Sequence, residues 1–143
     1  MFPVLNSYDG YRRLLDIADS PSNAIEFCQS SISEMTDSTN DAIYGFFDEM
    51  VRQDRILYVH FRTVSEPNSE NFSEEFINTG HVDMYRAMKI YHDGGYKSFC
   101  IDDHVPTHVD PRWGHRGRAF AMGYMQALIE AISKQDGAVL GLI

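Results

Sequence analysis

The stretch Arg55-Ile56-Leu57-Tyr58-Val59-His60-Phe61 (residues 55–61) holds a β-strand, Ile56–Phe61, with a chemically active side chain near its end. Ile56, Tyr58 and His60 alternate with Leu57, Val59 and Phe61, and both sets are largely apolar. A strand apolar on both sides is expected in a parallel sheet covered on both faces. Further segments repeat the pattern: Ala24–Cys28 ends in Cys28, and Ser98–Asp102 runs into Asp103-His104.

Helical spacing fills the intervals. Tyr8, Tyr11, Leu15 and Ala18 recur at helical spacing over residues 8–18, behind the capping side chain of Ser7. Ile43, Phe46, Phe47, Met50 and Val51 make one apolar stripe over 41–52. Met84, Ala87, Met88 and Tyr91 mark the next helix, which Gly94-Gly95 stop, and Ala121, Met125, Leu128 and Ile132 mark a last one over 117–134. The order α-β-α-β-α-β-α predicts parallel βα units. Right-handed crossovers put every strand end on one side, so Cys28, His60 and Asp103 are expected to converge although they are distant in the chain. Residues 63–80 form a long polar loop, a kind that is usually functional or disordered. The tail GAVLGLI (137–143) fits a frayed end, a short strand or the start of a further segment.

Composition sets bounds. A length of 143 residues suits one domain, 43% hydrophobic residues supply a core, and a net charge of −9 argues against nucleic acid or an anionic membrane as partner. No apolar run approaches the ~20 residues of a membrane span, and the N-terminus MFPVLNSYDG lacks the features of a signal peptide. The only cysteines, Cys28 and Cys100, make no disulfide framework, and a reducing cytoplasm is the expected location.

Thiolate, imidazole and carboxylate together can hold a divalent transition ion, and three protein ligands with an open position make such a site catalytic. Each residue has a second reading. Cys28 also fits as a small buried hydrophobe, and His60 as a satisfied core histidine. Asp103 is the strongest candidate, because an acid at a strand end needs a partner, a metal or solvent.

The runs SPSNAIEFCQSS (20–31), RILYVHFRTV (55–64), GHVDMYRAMKIYHDGGY (80–96), DDHVP (102–106) and GRAFAMGYMQALIEAI (117–132) stand in this order. Together they resemble the C-terminal half of mannonate dehydratase. The resemblance runs from about residue 2 to residue 134 and implies an α/β fold, part of a TIM (β/α)8 barrel of the xylose isomerase-like type. About three parallel βα units with flanking helices would make residues 1–143 a single partial domain. It also implies dehydration of D-mannonate to 2-keto-3-deoxy-D-gluconate with a divalent metal, Mn²⁺ or Fe²⁺. Carried over by position, the metal-binding cysteine falls on Cys28, the histidine on His60 and the aspartate on Asp103. His104 matches a residue implicated in proton transfer, and Arg62 an arginine that engages the substrate carboxylate.

Departures from the family pattern are also legible. The family's loop tyrosine before the last helix has no counterpart in RWGHRGR (112–118), where Trp113 and His115 stand; His115 reads either as a substitute proton carrier or as an exposed loop histidine. Ser30-Ser31 replace Gly-Thr, Thr63 replaces Asn, Asp102 replaces a proline and puts an extra acid by the site, and His81 replaces an acid. Glu26, in the first strand, is a buried-acid risk unless paired.

A complete barrel of this type takes about 250 residues. The resemblance therefore implies that a further metal-binding histidine and five strands are missing and that the isolated chain is inactive or incomplete. An N-terminal barrel half or a homo-oligomer is the expected partner, although two copies supply only six strands and do not close a barrel of eight. The alternatives are a non-catalytic binding or interaction module derived from the barrel, and a related barrel sugar isomerase, against which DHVP and GYM argue.

Overall fold

Three parallel strands, β1 (Ile25–Cys28), β2 (Ile56–His60) and β3 (Cys100–Ile101), lie in the order β1-β2-β3. This computed structural model describes residues 5–35, 40–67, 70–107 and 114–137. Helix α1 (Tyr8–Ile17) precedes the sheet; α2 (Gln29–Ser33) and α3 (Asn40–Arg52) connect β1 to β2, α4 (Met84–Asp93) connects β2 to β3, and α5 (His115–Gln135) follows. The short α2, directly after Cys28, is absent from the sequence-based pattern because five residues cannot display a helical period. β3 is shorter than the predicted 98–102. The tail 138–143 lies outside the described residues.

Side chains cap the helix starts, at Ser7 as the sequence predicts and at Asp83. Ser7 Oγ accepts from Gly10 N at 3.2 Å, and Asp83 Oδ1 accepts from Arg86 N at 3.0 Å. Behind α4, Gly95 takes the left-handed conformation (φ 79°) and Tyr96 N donates to Tyr91 O at 2.9 Å, a Schellman closure that turns the chain toward β3.

One face of the sheet is closed by helices. Phe27 of β1 is fully buried and meets Phe47 edge-on at 5.3 Å and Tyr91 at 6.5 Å, while Phe47 stacks on Tyr91 at 6.1 Å. Val59 and Phe61 complete this layer with no exposure. A buried hydrogen-bond chain crosses it: Tyr91 Oη donates to Gln29 Oε1 at 2.9 Å, and Gln29 Nε2 donates to the Arg62 carbonyl at 3.3 Å. Outside the core, Arg12 grips Glu49 through Nε at 2.8 Å and Nη2 at 2.6 Å, tying α1 to α3.

The other face corrects the expectation that both are covered. Glu26, Leu57 and Phe99 are exposed, and Ile101 is 37% exposed. The register pairs Ile25 with Ile56 but Glu26 with Tyr58, so Leu57 is an extra residue in β2. That bulge interrupts the alternation: Ile56 and Val59 both reach the core, while Leu57 is left 58% exposed. Among the described residues no element covers this face, and no helix is long and apolar enough to cross a membrane.

Candidate metal centre

The strand register brings the predicted ligands together. Cys28 and His60 are register partners at the ends of β1 and β2, His60 pairs with Ile101, and Asp103 follows two residues later. One donor atom each from Cys28, His60 and Asp103 lies within 4.8 Å of the others, and all three residues are partly buried. Asp103 has φ 50°, the left-handed region that costs a non-glycine residue about 1–3 kcal/mol and that aspartate tolerates better than most. This turn ends β3 and places the carboxylate beside His60.

The surroundings carry an excess of acid. His60 Nδ1 lies 3.0 Å from Glu26 Oε1 and 3.2 Å from Asp103 Oδ2, so two carboxylates crowd one ring nitrogen that has at most one proton to share. Ser31 Oγ donates to Cys28 Sγ at 3.0 Å. Thiol, imidazole and clustered carboxylates are donors suited to a divalent transition ion, and the residues fit one. Glu26 is not the buried acid expected from its place in a strand: its side chain is 47% exposed, it contacts His60, and it shares a hydrogen bond with Tyr58.

Arg62 is buried and surrounded by carboxylates. Nη1 donates to Glu74 Oε1 at 2.8 Å and Oε2 at 3.0 Å, and lies 3.8 Å from Glu34 Oε1. Nε forms an ion pair with Asp103 Oδ2 at 3.0 Å, yet the N–H is misaligned and makes no hydrogen bond among the described residues. Nη2 makes one long contact there, 3.4 Å to Ser31 Oγ. Burial raises the Glu34 carboxyl pKa, and the nearby Arg62 opposes this without cancelling it.

His104 is exposed and its Nδ1 lies 3.0 Å from Glu74 Oε1, while Nε2 is 3.9 Å from Asp103 Oδ1. His115 is not brought into this group by any described ion pair or hydrogen bond; it stands exposed at the start of α5. Trp113 lies outside the described residues. Asp102 points its charge elsewhere: Arg118 Nη1 donates to Asp102 Oδ1 at 2.9 Å, so the extra acid pairs with α5. Sequence reasoning missed Glu34 and Glu74. The sole signal for Glu74 was the length of the loop carrying it.

Burial of His81 carries a cost. Its Nε2 is buried without a hydrogen bond among the described residues, and burial lowers its pKa below the ordinary value of 6.5. The unfolded chain therefore takes up this proton more readily than the native one. Stability is fully present above about pH 6.5 and is lost as pH falls through and below that value. Glu34 has the opposite sign, stabilising at low pH and losing that contribution as pH rises through its raised pKa. The expected result is that the urea midpoint drops more between pH 7.5 and 5.5 in the parent than in His81→Gln. Equal drops would remove His81 as the cause.

Comparison with known proteins finds relatives along nearly the whole chain. The D-mannonate dehydratase (UxuA) family profile matches residues 2–138. Mannonate dehydratase from Lactococcus lactis subsp. lactis (strain IL1403) is 32% identical over 135 residues, covering 86% of this chain and 36% of the relative. That from Enterococcus faecalis (strain ATCC 700802 / V583) is 34% identical over 128 residues, covering 84% and 34% respectively. The chain thus spans about a third of the length of these curated relatives. The crystal structure of mannonate dehydratase from Streptococcus suis serotype 2 shares the fold with a TM-score of 0.83 at 22% identity, over 97% of this chain and 41% of that one. With a family match over nearly its whole length, this chain belongs to the D-mannonate dehydratase family.

Proposed function

We propose that the chain forms the metal-binding and proton-transfer part of an enzyme that dehydrates D-mannonate to 2-keto-3-deoxy-D-gluconate. The observation that carries this is the convergence of Cys28, His60 and Asp103 at the ends of adjacent parallel strands. Active sites of (β/α)8 barrels are built at such strand ends. We read the sheet as three strands of a xylose isomerase-like barrel in a single partial domain, whose exposed face at Glu26, Leu57, Phe99 and Ile101 the remaining strands cover. An N-terminal barrel half is the partner this reading requires; a homo-oligomer is the alternative.

In this reading Cys28, His60 and Asp103 hold Mn²⁺ or Fe²⁺. The bound ion supplies Lewis acidity to the substrate carboxylate as negative charge develops at C2. The reaction removes the C2 proton and the C3 hydroxyl as water, and the resulting enol takes a proton at C3 to become the 2-keto acid. His104, beside Asp103, carries one of these protons. His115 is the candidate for the other, although it stands exposed at the start of α5. Arg62 steadies Glu74 and Asp103 with Nη1 and Nε, leaving Nη2 for the substrate carboxylate. A metal site with a thiol ligand suits a reducing cytoplasm, and Cys28 and Cys100 are both free thiols.

The test is metal content together with mannonate turnover, with and without the N-terminal portion of a full-length relative supplied in trans. Turnover is expected only in the mixture, with one divalent ion per chain pair. Turnover by the chain alone would refute the need for a partner. A mixture that assembles yet neither binds Mn²⁺ nor turns over mannonate would refute the catalytic reading.

A further inference from the structure

The geometry around His104 assigns a role to a residue outside the expected site: we propose that Glu74 is the positioning residue for His104, holding its proton on Nδ1 and leaving Nε2 as the basic atom beside the metal centre. This deepens the proposed function and rests on it.

A neutral imidazole acts as a base only through its unprotonated nitrogen, and the group bonded to the other nitrogen selects the tautomer. Here a carboxylate oxygen, Glu74 Oε1, lies 3.0 Å from Nδ1 of His104. A carboxylate only accepts, so the proton belongs on Nδ1. The opposite nitrogen, Nε2, lies 3.9 Å from Asp103 Oδ1, on the side of the candidate ligands. The pair therefore has one fixed end and one working end, the arrangement by which a carboxylate orients a catalytic histidine.

Glu74 is itself fixed. Both of its oxygens accept from Arg62 Nη1, at 2.8 and 3.0 Å, and Arg62 is only 7% exposed. Its backbone forms an antiparallel bridge with Val64, reinforced by Ser65 N to Ser73 O at 3.0 Å and Glu75 N to Thr63 O at 3.3 Å. The segment 70–80 is thus clamped onto the chain leaving β2. Glu34, the other acid near Arg62, approaches that guanidinium at 3.8 Å, and its Oε1 makes no hydrogen bond among the described residues. Of the two acids, Glu74 alone makes a described hydrogen bond to His104.

Glu74→Ala tests the assignment on the full chain. Arg62 Nη1 and His104 Nδ1 both contact Glu74 Oε1, so removing the carboxylate removes the acceptor that selects the Nδ1–H tautomer. Long-range ¹⁵N–¹H spectra at about pH 9, where an ordinary imidazole is neutral, report the tautomer directly. The parent should show Nδ1–H at His104, Glu74→Ala should show mainly Nε2–H, and Glu74→Asp should retain part of the parent signal. A parent already in the Nε2–H form, or a folded Glu74→Ala variant unchanged from the parent, overturns the proposal. In the assembled mixture Glu74→Ala should lower kcat by about 100-fold or more, the scale of a misplaced general base; an unchanged kcat also overturns it. Mn²⁺ binding by the parent separates the two readings. Its loss there counts against the metal centre, whereas intact binding with an indifferent His104 tautomer counts against Glu74 alone.

Discussion

Asp103→Asn is expected to weaken Mn²⁺ binding at least about 100-fold while the fold is retained. Loss of a partner outside the coordination sphere costs about 10–100-fold in metal affinity, so loss of a charged ligand should reach or exceed that range. Asparagine keeps the size of the side chain and tolerates the left-handed backbone at φ 50°, which alanine would strain. Removing the charge also leaves Arg62 Nε and His60 Nδ1 without the carboxylate that lies 3.0 and 3.2 Å from them. Cys28→Ala should produce a comparable loss from the opposite strand of the group. Titration calorimetry with circular dichroism as the folding control decides the matter. If both variants fold and bind Mn²⁺ as the parent does, these are not the ligands.

Phe27→Ala should destabilise the chain by about 3–5 kcal/mol, the range for truncating a buried phenylalanine. The ring has no exposure and packs against Phe46, Phe47 and Tyr91 at centroid distances of 6.0, 5.3 and 6.5 Å. Those rings come from α3 and α4, so no small shift of one helix can fill the cavity. Against a typical domain stability of about 5–15 kcal/mol, such a loss populates the unfolded chain. Phe27 also lies between Glu26 and Cys28, so the same change should loosen the metal centre. Urea denaturation measures the first effect and Mn²⁺ affinity the second. A loss under about 1 kcal/mol would mean that the aromatic layer is not the organising core.

Much of this was legible in residues 55–61 and their counterparts. Strands ending in Cys28, His60 and Asp103, each followed by helix, dictate parallel pairing, and parallel pairing puts their ends on one side. Two helix boundaries were readable too, because Ser7 and Gly94-Gly95 act through local backbone chemistry. Less legible was anything that depends on a neighbour distant in the chain. The bulge at Leu57 shows itself only once β1 is paired with β2. Glu26 reads as a buried acid from its position in a strand, yet the sheet face it occupies is open. Asp102 reads as an acid added to the site, yet Arg118 draws it to α5.

The sequence by itself determined the parallel α/β order, the family and the identity of the candidate ligands, because periodicity, caps and motif order are written along the chain. Only the tertiary structure decided what surrounds those ligands. It set Glu26 and Asp103 against one nitrogen of His60, filled the reach of Arg62 with Glu74, Asp103 and Glu34, and drew Glu74 from a polar loop onto His104. These are distances of about three to four ångströms between residues up to 43 positions apart, as His60 and Asp103 are. Electrostatic pairing at that range depends on where the backbone brings each charge, which no local pattern encodes.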